Sequence, residues 1–144
     1  MGRGRKSDRR ARGLTMRKIL NVLVRRYIAK SDLDGALQFY AAVFGQAPRL
    51  RFRYERYDLE IAQIGPMLFV AGSEENLAPF RSTSATFMVE DLDDWRNELS
   101  RLGAVIIEEP KRVPTGRNMR VRHPDGMIAE YVEHANKHPA DSVL

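Results

Sequence analysis

An internal duplication restricts the fold of this chain more than any other feature. Asp32-Leu33-Asp34 and Asp91-Leu92-Asp93 stand 59 residues apart, and Gly45 and Gly103, each closing a helical pattern, stand 58 apart. Around each anchor the order of patterns is the same. Residues 19–29 are rich in β-branched and aromatic side chains and read as a strand. Ser31-Asp32-Leu33-Asp34 has the spacing of a capping box. Leu33, Ala36, Leu37, Tyr40 and Phe44 then recur at helical spacing until Gly45 and Pro48 stop the helix. Extended stretches follow at 50–57, 59–64 and 67–71, with a turn at Gly65-Pro66.

The second half repeats this plan. Residues 85–89 form a strand, Glu90-Asp91 caps a helix carrying Leu92, Trp95, Leu99 and Leu102, and strands follow at 105–108, 119–122 and 127–133. Residues 110–118, broken by Pro110, Pro114 and Gly116, are expected to be a loop. Neither half can cover both faces of its own sheet, so two β-α-β-β-β modules must pair and share a core. The expected fold class is α+β, a pseudo-twofold repeat of two β-α-β-β-β modules. The segments are a disordered basic tail at 1–18, a first module at 19–72, a linker at 73–83, a second module at 84–134 and a C-terminal tail at 135–144, which would leave His134 and His138 near a frayed end.

Charge and composition narrow the function. The chain of 144 residues carries a net charge of +5, yet residues 1–18 hold eight Lys or Arg against Asp8 alone, so the remainder is slightly acidic. The basic leader could attract phosphates, but a segment this polar is expected to be disordered and nucleic acid is not the expected partner. Met16 is a second candidate start. Along 51–57, Arg51, Arg53 and Arg56 interleave with Tyr54 and Tyr57; the expected role is a solvated strand face or subunit contact rather than a platform for bases. No apolar run is long enough to cross a bilayer. There are no cysteines, which excludes disulfides, thiolate metal sites and cysteine nucleophiles, and makes the cytoplasm the expected setting.

Asp32-Leu33-Asp34 before a helix ending Phe39-Tyr40 and Phe44-Gly45, Phe87-Met88-Val89-Glu90-Asp91-Leu92-Asp93, Leu102-Gly103, and His123-Pro124-Asp125-Gly126 leading to Glu130 together resemble the vicinal oxygen chelate superfamily. That superfamily includes glyoxalase, extradiol dioxygenases and bleomycin-resistance proteins. The resemblance implies that the two modules form curved open barrels around a cavity, and it implies four points at which the family's enzymes place metal ligands. Here they hold Arg25, Leu68, Ser84 and Glu130. One carboxylate does not hold a divalent ion, and a guanidinium among the donors repels one. The expectation is therefore no metal, no cofactor and no catalytic residue.

The resemblance points to a metal-free small-molecule-binding protein, a homodimer of the bleomycin-resistance kind, taking an anionic or aromatic ligand. Strand parity places Phe87 and Val89 toward the helix, and Arg25, Tyr27, Ser84, Thr86, Arg117 and Glu130 are the expected cavity residues. Asn118 could join Arg117 at the ligand. Arg25 and Glu130 should meet across the cavity as an ion pair, with Ser84 and Leu68 beside them. His123 is expected to be an exposed turn residue, and Phe80 and Trp95 to pack in the linker and core. The alternative is a metal-dependent lyase, isomerase or dioxygenase of the same superfamily with an atypical site.

Overall fold

The computed structural model describes residues 18–135. The expectations for the basic leader and for His138 lie outside those residues. The first module contains β1 (Ile19–Ile28), helix α1 (Leu33–Phe44), β2 (Leu50–Tyr54), β3 (Leu59–Ile64) and β4 (Met67–Ala71). A connecting segment holds the short helix α2 (Glu74–Leu77). The second module contains β5 (Thr83–Val89), helix α3 (Leu92–Arg101), β6 (Val105–Val113), β7 (Gly116–Arg122) and β8 (Ile128–His134).

All eight strands form one sheet in the order β2-β3-β4-β1-β5-β8-β7-β6. The order is symmetric about the β1/β5 seam. Each module's first strand runs parallel to its last, β1 with β4 and β5 with β8, and the seam itself is antiparallel. The sheet curls into a half-barrel, as the family resemblance implies.

Strand alternation divides the side chains between two environments. On the convex face, Leu33 and Leu37 of α1 pack against Ala62, Ile64, Phe69 and Ala71. Leu92 and Leu99 of α3 pack against Val89, Met119, Val121, Ala129 and Tyr131, with Trp95 beside them. The intervening strand residues point into the concave face and line a cavity.

Several local expectations are corrected. Ser31 does not cap α1, because residues Lys30–Asp32 form a 3-10 turn and the helix starts without a side-chain cap. Asp91 does not cap α3 with its side chain either. It adopts a left-handed φ of 56°, and the Leu92 N–H donates instead to Glu133 Oε1 from β8 at 3.1 Å. Most of the expected loop at 110–118 is strand. Pro110 is tolerated within β6 because β6 is the edge of the sheet and bulges on either side of Glu108. The β6–β7 hairpin turns tightly at Pro114-Thr115. Gly116 follows at φ 152°, where an added Cβ would stand 2.1 Å from the Glu133 carbonyl oxygen. The segment between the modules has structure of its own: Ser73 caps α2 through the Asn76 N–H, Leu77 is buried, and Pro79 and Phe80 of a 3-10 turn at Ala78–Phe80 line the cavity. His134 belongs to β8 and reaches the cavity wall rather than a frayed end.

Candidate functional site

The cavity has a volume of about 240 Å³. The strand registers show how it is built. One belt of inward side chains crosses the first module as Leu50, Gln63, Leu68 and Arg25, from β2, β3, β4 and β1. Its counterpart crosses the second as Glu108, Arg120, Glu130 and Thr86, from β6, β7, β8 and β5. The duplication therefore produced two equivalent walls with opposite chemistry. The first wall is apolar and aromatic, with Phe52, Tyr54, Ile61 and Val70 joining Leu50 and Leu68. The second carries most of the charge.

Arg25 joins the walls at the seam. Its Nε donates to Thr86 Oγ1 at 2.9 Å, its Nη1 to the Tyr27 hydroxyl at 2.9 Å and its Nη2 to Glu130 Oε1 at 2.7 Å. Thr86 Oγ1 in turn donates to Glu130 Oε1 at 2.8 Å, and Asn118 Nδ2 to Glu130 Oε2 at 2.6 Å. The expected Arg25–Glu130 pair is thus present, with side chains only 10% and 13% exposed. Burial pushes the Glu130 carboxyl up. The Arg25 charge and the hydrogen bonds from Asn118, Thr86 and Arg25 outweigh it and hold Glu130 below the usual carboxylate range. Burial likewise opposes the Arg25 charge, and Glu130 with Tyr27 more than restores it. Further along the second wall, Lys111 donates to Glu108 at 2.9 Å and to Asn118 Oδ1 at 3.2 Å, and Arg120 donates to Glu108 at 3.2 Å. The polar wall is one connected network.

Of the six expected cavity residues, Arg25, Thr86 and Glu130 line the cavity and are mutually bonded. Tyr27 stands behind Arg25. Its hydroxyl lies 2.5 Å from the Phe80 carbonyl and 2.7 Å from the Thr83 carbonyl, so it ties the guanidinium to the connecting segment and does not line the cavity. Ser84 is exposed and outside the cavity. A bulge between Thr83 and Ala85 shifts the parity of β5, so buried Thr83 takes the inward place that counting assigned to Ser84. Arg117 points away from the cavity and holds Asp93 of α3 with contacts of 3.0 and 3.2 Å, because it alternates with the inward Asn118 and Arg120.

Other residues settle similarly. His123 faces the helical side, with Nε2 2.9 Å from the Tyr131 hydroxyl, whose buried phenol is pushed up to about 12. Tyr54 and Tyr57 turn inward while Arg51 pairs with Glu60 and Asp34, and Arg53 with Asp58, on the outer side. Phe80 lines the cavity as well as packing on Tyr57, at a ring separation of 5.1 Å. Gln63 and Arg120 went unnoticed in the sequence. The signal was there in β3, where Leu59, Ile61 and Gln63 share the face opposite Ala62 and Ile64.

The residues present do not fit a divalent metal. Arg25, Leu68, Thr86 and Glu130 offer one carboxylate and one weak neutral oxygen, and the guanidinium already sits at hydrogen-bonding distance from that carboxylate. Among the described residues, no three His, Asp or Glu side chains converge on a common point. No helix among them is long and apolar enough to cross a membrane.

The family model of the Glyoxalase/Bleomycin resistance protein/Dioxygenase superfamily matches residues 19–131. A solved structure of a hypothetical protein from Methanosarcina mazei is 50% identical, covers 82% of this chain and 94% of its own, and superposes with a TM-score of 0.75. Methylmalonyl-CoA epimerase from Mycobacterium tuberculosis is 20% identical over 85% of this chain and 93% of its own, with a TM-score of 0.62. A Streptomyces coelicolor methylmalonyl-CoA epimerase variant in complex with 2-nitronate-propionyl-CoA is 19% identical over 83% of this chain and 100% of its own, again with a TM-score of 0.62. At that identity the epimerases share the fold alone. No curated protein matches the chain.

Proposed function

We propose, from the premise that this chain belongs to the Glyoxalase/Bleomycin resistance protein/Dioxygenase superfamily, that its half-barrel binds a compact organic acid without a metal ion. The observation that carries this reading is the Arg25–Thr86–Glu130–Asn118 network, which ties up Glu130, the one carboxylate among the four points where the resemblance places metal ligands. An internal guanidinium supplies the positive charge there, and its partner carboxylate is already committed to it.

Charge and size narrow the ligand. The lining includes Arg25, Lys111 and Arg120 against Glu108 and Glu130, one positive charge in excess, which favours an anion. The opposite wall of Leu50, Phe52, Tyr54 and Ile61 favours an apolar or aromatic body. A cavity of about 240 Å³ lies below the range of about 300–1,000 Å³ common for drug-sized ligands, so a single-ring acid suits it. Such a ligand is held by shape, stacking and hydrogen bonds, and the protein sequesters or carries it.

Calorimetric titration with phenylacetate and with phenethylamine, each with and without EDTA, tests this. Binding of phenylacetate that EDTA leaves unchanged, with phenethylamine much weaker, is the expected outcome. Preference for the amine, or loss of binding on chelation, overturns the reading.

A further inference from the structure

Gln63 stands apart from the rest of the cavity's polar groups. It is only 1% exposed and lines the cavity from β3, among the apolar side chains of the first wall. Its ladder neighbours are Leu50 on one side and Leu68 on the other. Among the described residues, the one hydrogen bond of its side chain is a long contact of 3.5 Å from Nε2 to the Gly65 carbonyl. Among the described residues its Oε1 has no protein partner and is left to the cavity, while the charged groups of the facing wall are tied into the network. A primary amide buried this way is costly unless something completes its hydrogen bonding.

The duplication says where that something lies relative to the charge. Gln63 occupies the same place in the first module that Arg120 occupies in the second, each one strand in from the sheet edge and each beside the belt residue of the last strand. The two side chains therefore stand at equivalent places on the two walls of the half-barrel. Arg120 offers a charge on one wall, and Gln63 a neutral amide on the other.

We infer that Gln63 is a specificity-determining residue, and that the ligand is a ring-bearing acid with a neutral hydroxyl at the end far from its carboxylate. This rests on the acid-binding reading above and sharpens it. A hydroxyl both donates and accepts, so it meets either end of an amide. A second charged group is excluded from that place, since the surrounding side chains of Leu50, Ile61 and Leu68 give it no counter-ion. A ligand lacking the hydroxyl leaves the amide unpaired, which is the stronger half of the discrimination.

The experiment compares phenylacetate, 4-hydroxyphenylacetate and 2-hydroxyphenylacetate on the full chain by calorimetry. The native protein binds the 4-hydroxy acid about tenfold more tightly than either of the others. In Gln63→Leu the preference disappears, mainly through weaker binding of the 4-hydroxy acid, while phenylacetate affinity holds or improves. Equal affinity of the native protein for phenylacetate and the 4-hydroxy acid overturns this inference and leaves acid binding standing. That comparison needs no variant, so it decides the matter even if Gln63→Leu folds poorly. A preference that persists in a folded Gln63→Leu protein also overturns it. If none of the three acids binds, the acid-binding reading fails and this inference falls with it.

Discussion

Replacing Arg25 by Met removes the guanidinium and keeps most of the apolar stem, so the loss reports the charge pair rather than a cavity. Glu130 would then stand nearly enclosed, 13% exposed, with Thr86 and Asn118 as its remaining donors. Breaking a buried pair by removing one partner costs about 3–5 kcal/mol. The two surviving hydrogen bonds keep the expected loss at neutral pH near the low end, about 3 kcal/mol. For a domain of this size that lowers the melting temperature by about 10–15 °C. The pH dependence carries the sign. In the native protein Glu130 is held below its ordinary value, so it contributes stability above the unfolded carboxylate range and loses it as pH falls through the folded value. In the variant, burial is no longer opposed by Arg25 and the carboxyl rises above its unfolded value. The penalty is then present at neutral pH and vanishes as Glu130 protonates. Urea denaturation of Arg25→Met, Glu130→Gln and the double variant, at pH 7 and near pH 4, measures this. The gap between native protein and Arg25→Met narrows on acidification, and the double variant recovers part of the loss. An Arg25→Met cost below about 1 kcal/mol, or no recovery in the double variant, refutes the claim that the pair is a coupled buried unit.

Two further outcomes follow from the same geometry. Thr86→Val, which keeps the shape and removes a hydroxyl that both accepts from Arg25 and donates to Glu130, should cost about 2–3 kcal/mol in chemical denaturation, whereas Ser84→Ala, on the exposed bulge residue, should stay within about 0.5 kcal/mol. Burial raises the Tyr131 phenol to about 12, so stability that is complete below the unfolded tyrosine value of about 10 drains away as pH rises toward the folded one; in Tyr131→Phe, spectrophotometric titration should lose its highest transition.

The duplicated modules were legible because each is a local pattern: a hydrophobic period, an acidic helix start and a terminal glycine, repeated at nearly constant spacing. The Arg25–Glu130 pair was legible for a similar reason, since each residue lies at a fixed count from a module landmark. Counting failed where the backbone departs from regularity. The bulge at Ser84 moved Thr83 inward and gave Thr86 the place opposite Glu130. Helix starts are less legible because capping geometry depends on tertiary partners: Asp91 offers no side-chain cap, and Glu133, 41 residues away on β8, takes the Leu92 N–H. Prolines were read as loop residues although Pro110 lies in an edge strand, where no ladder donor is lost. Strand parity assigns Tyr27 to the cavity, and the expected loop assigns Arg117 to it. Their true directions follow from contacts to the Phe80 carbonyl and to Asp93, which lie far off in sequence.

The central claim is that the guanidinium of Arg25, not a divalent ion, is the cation of this cavity. Elemental analysis of the full chain, purified without chelator or affinity metal and dialysed against metal-free buffer, tests it most directly. The account predicts well under one divalent ion per chain in the native protein, and in Arg25→His combined with Thr86→His a newly acquired, saturable affinity for zinc or nickel beside Glu130. One retained divalent ion per native chain, lost in Glu130→Ala, would contradict it.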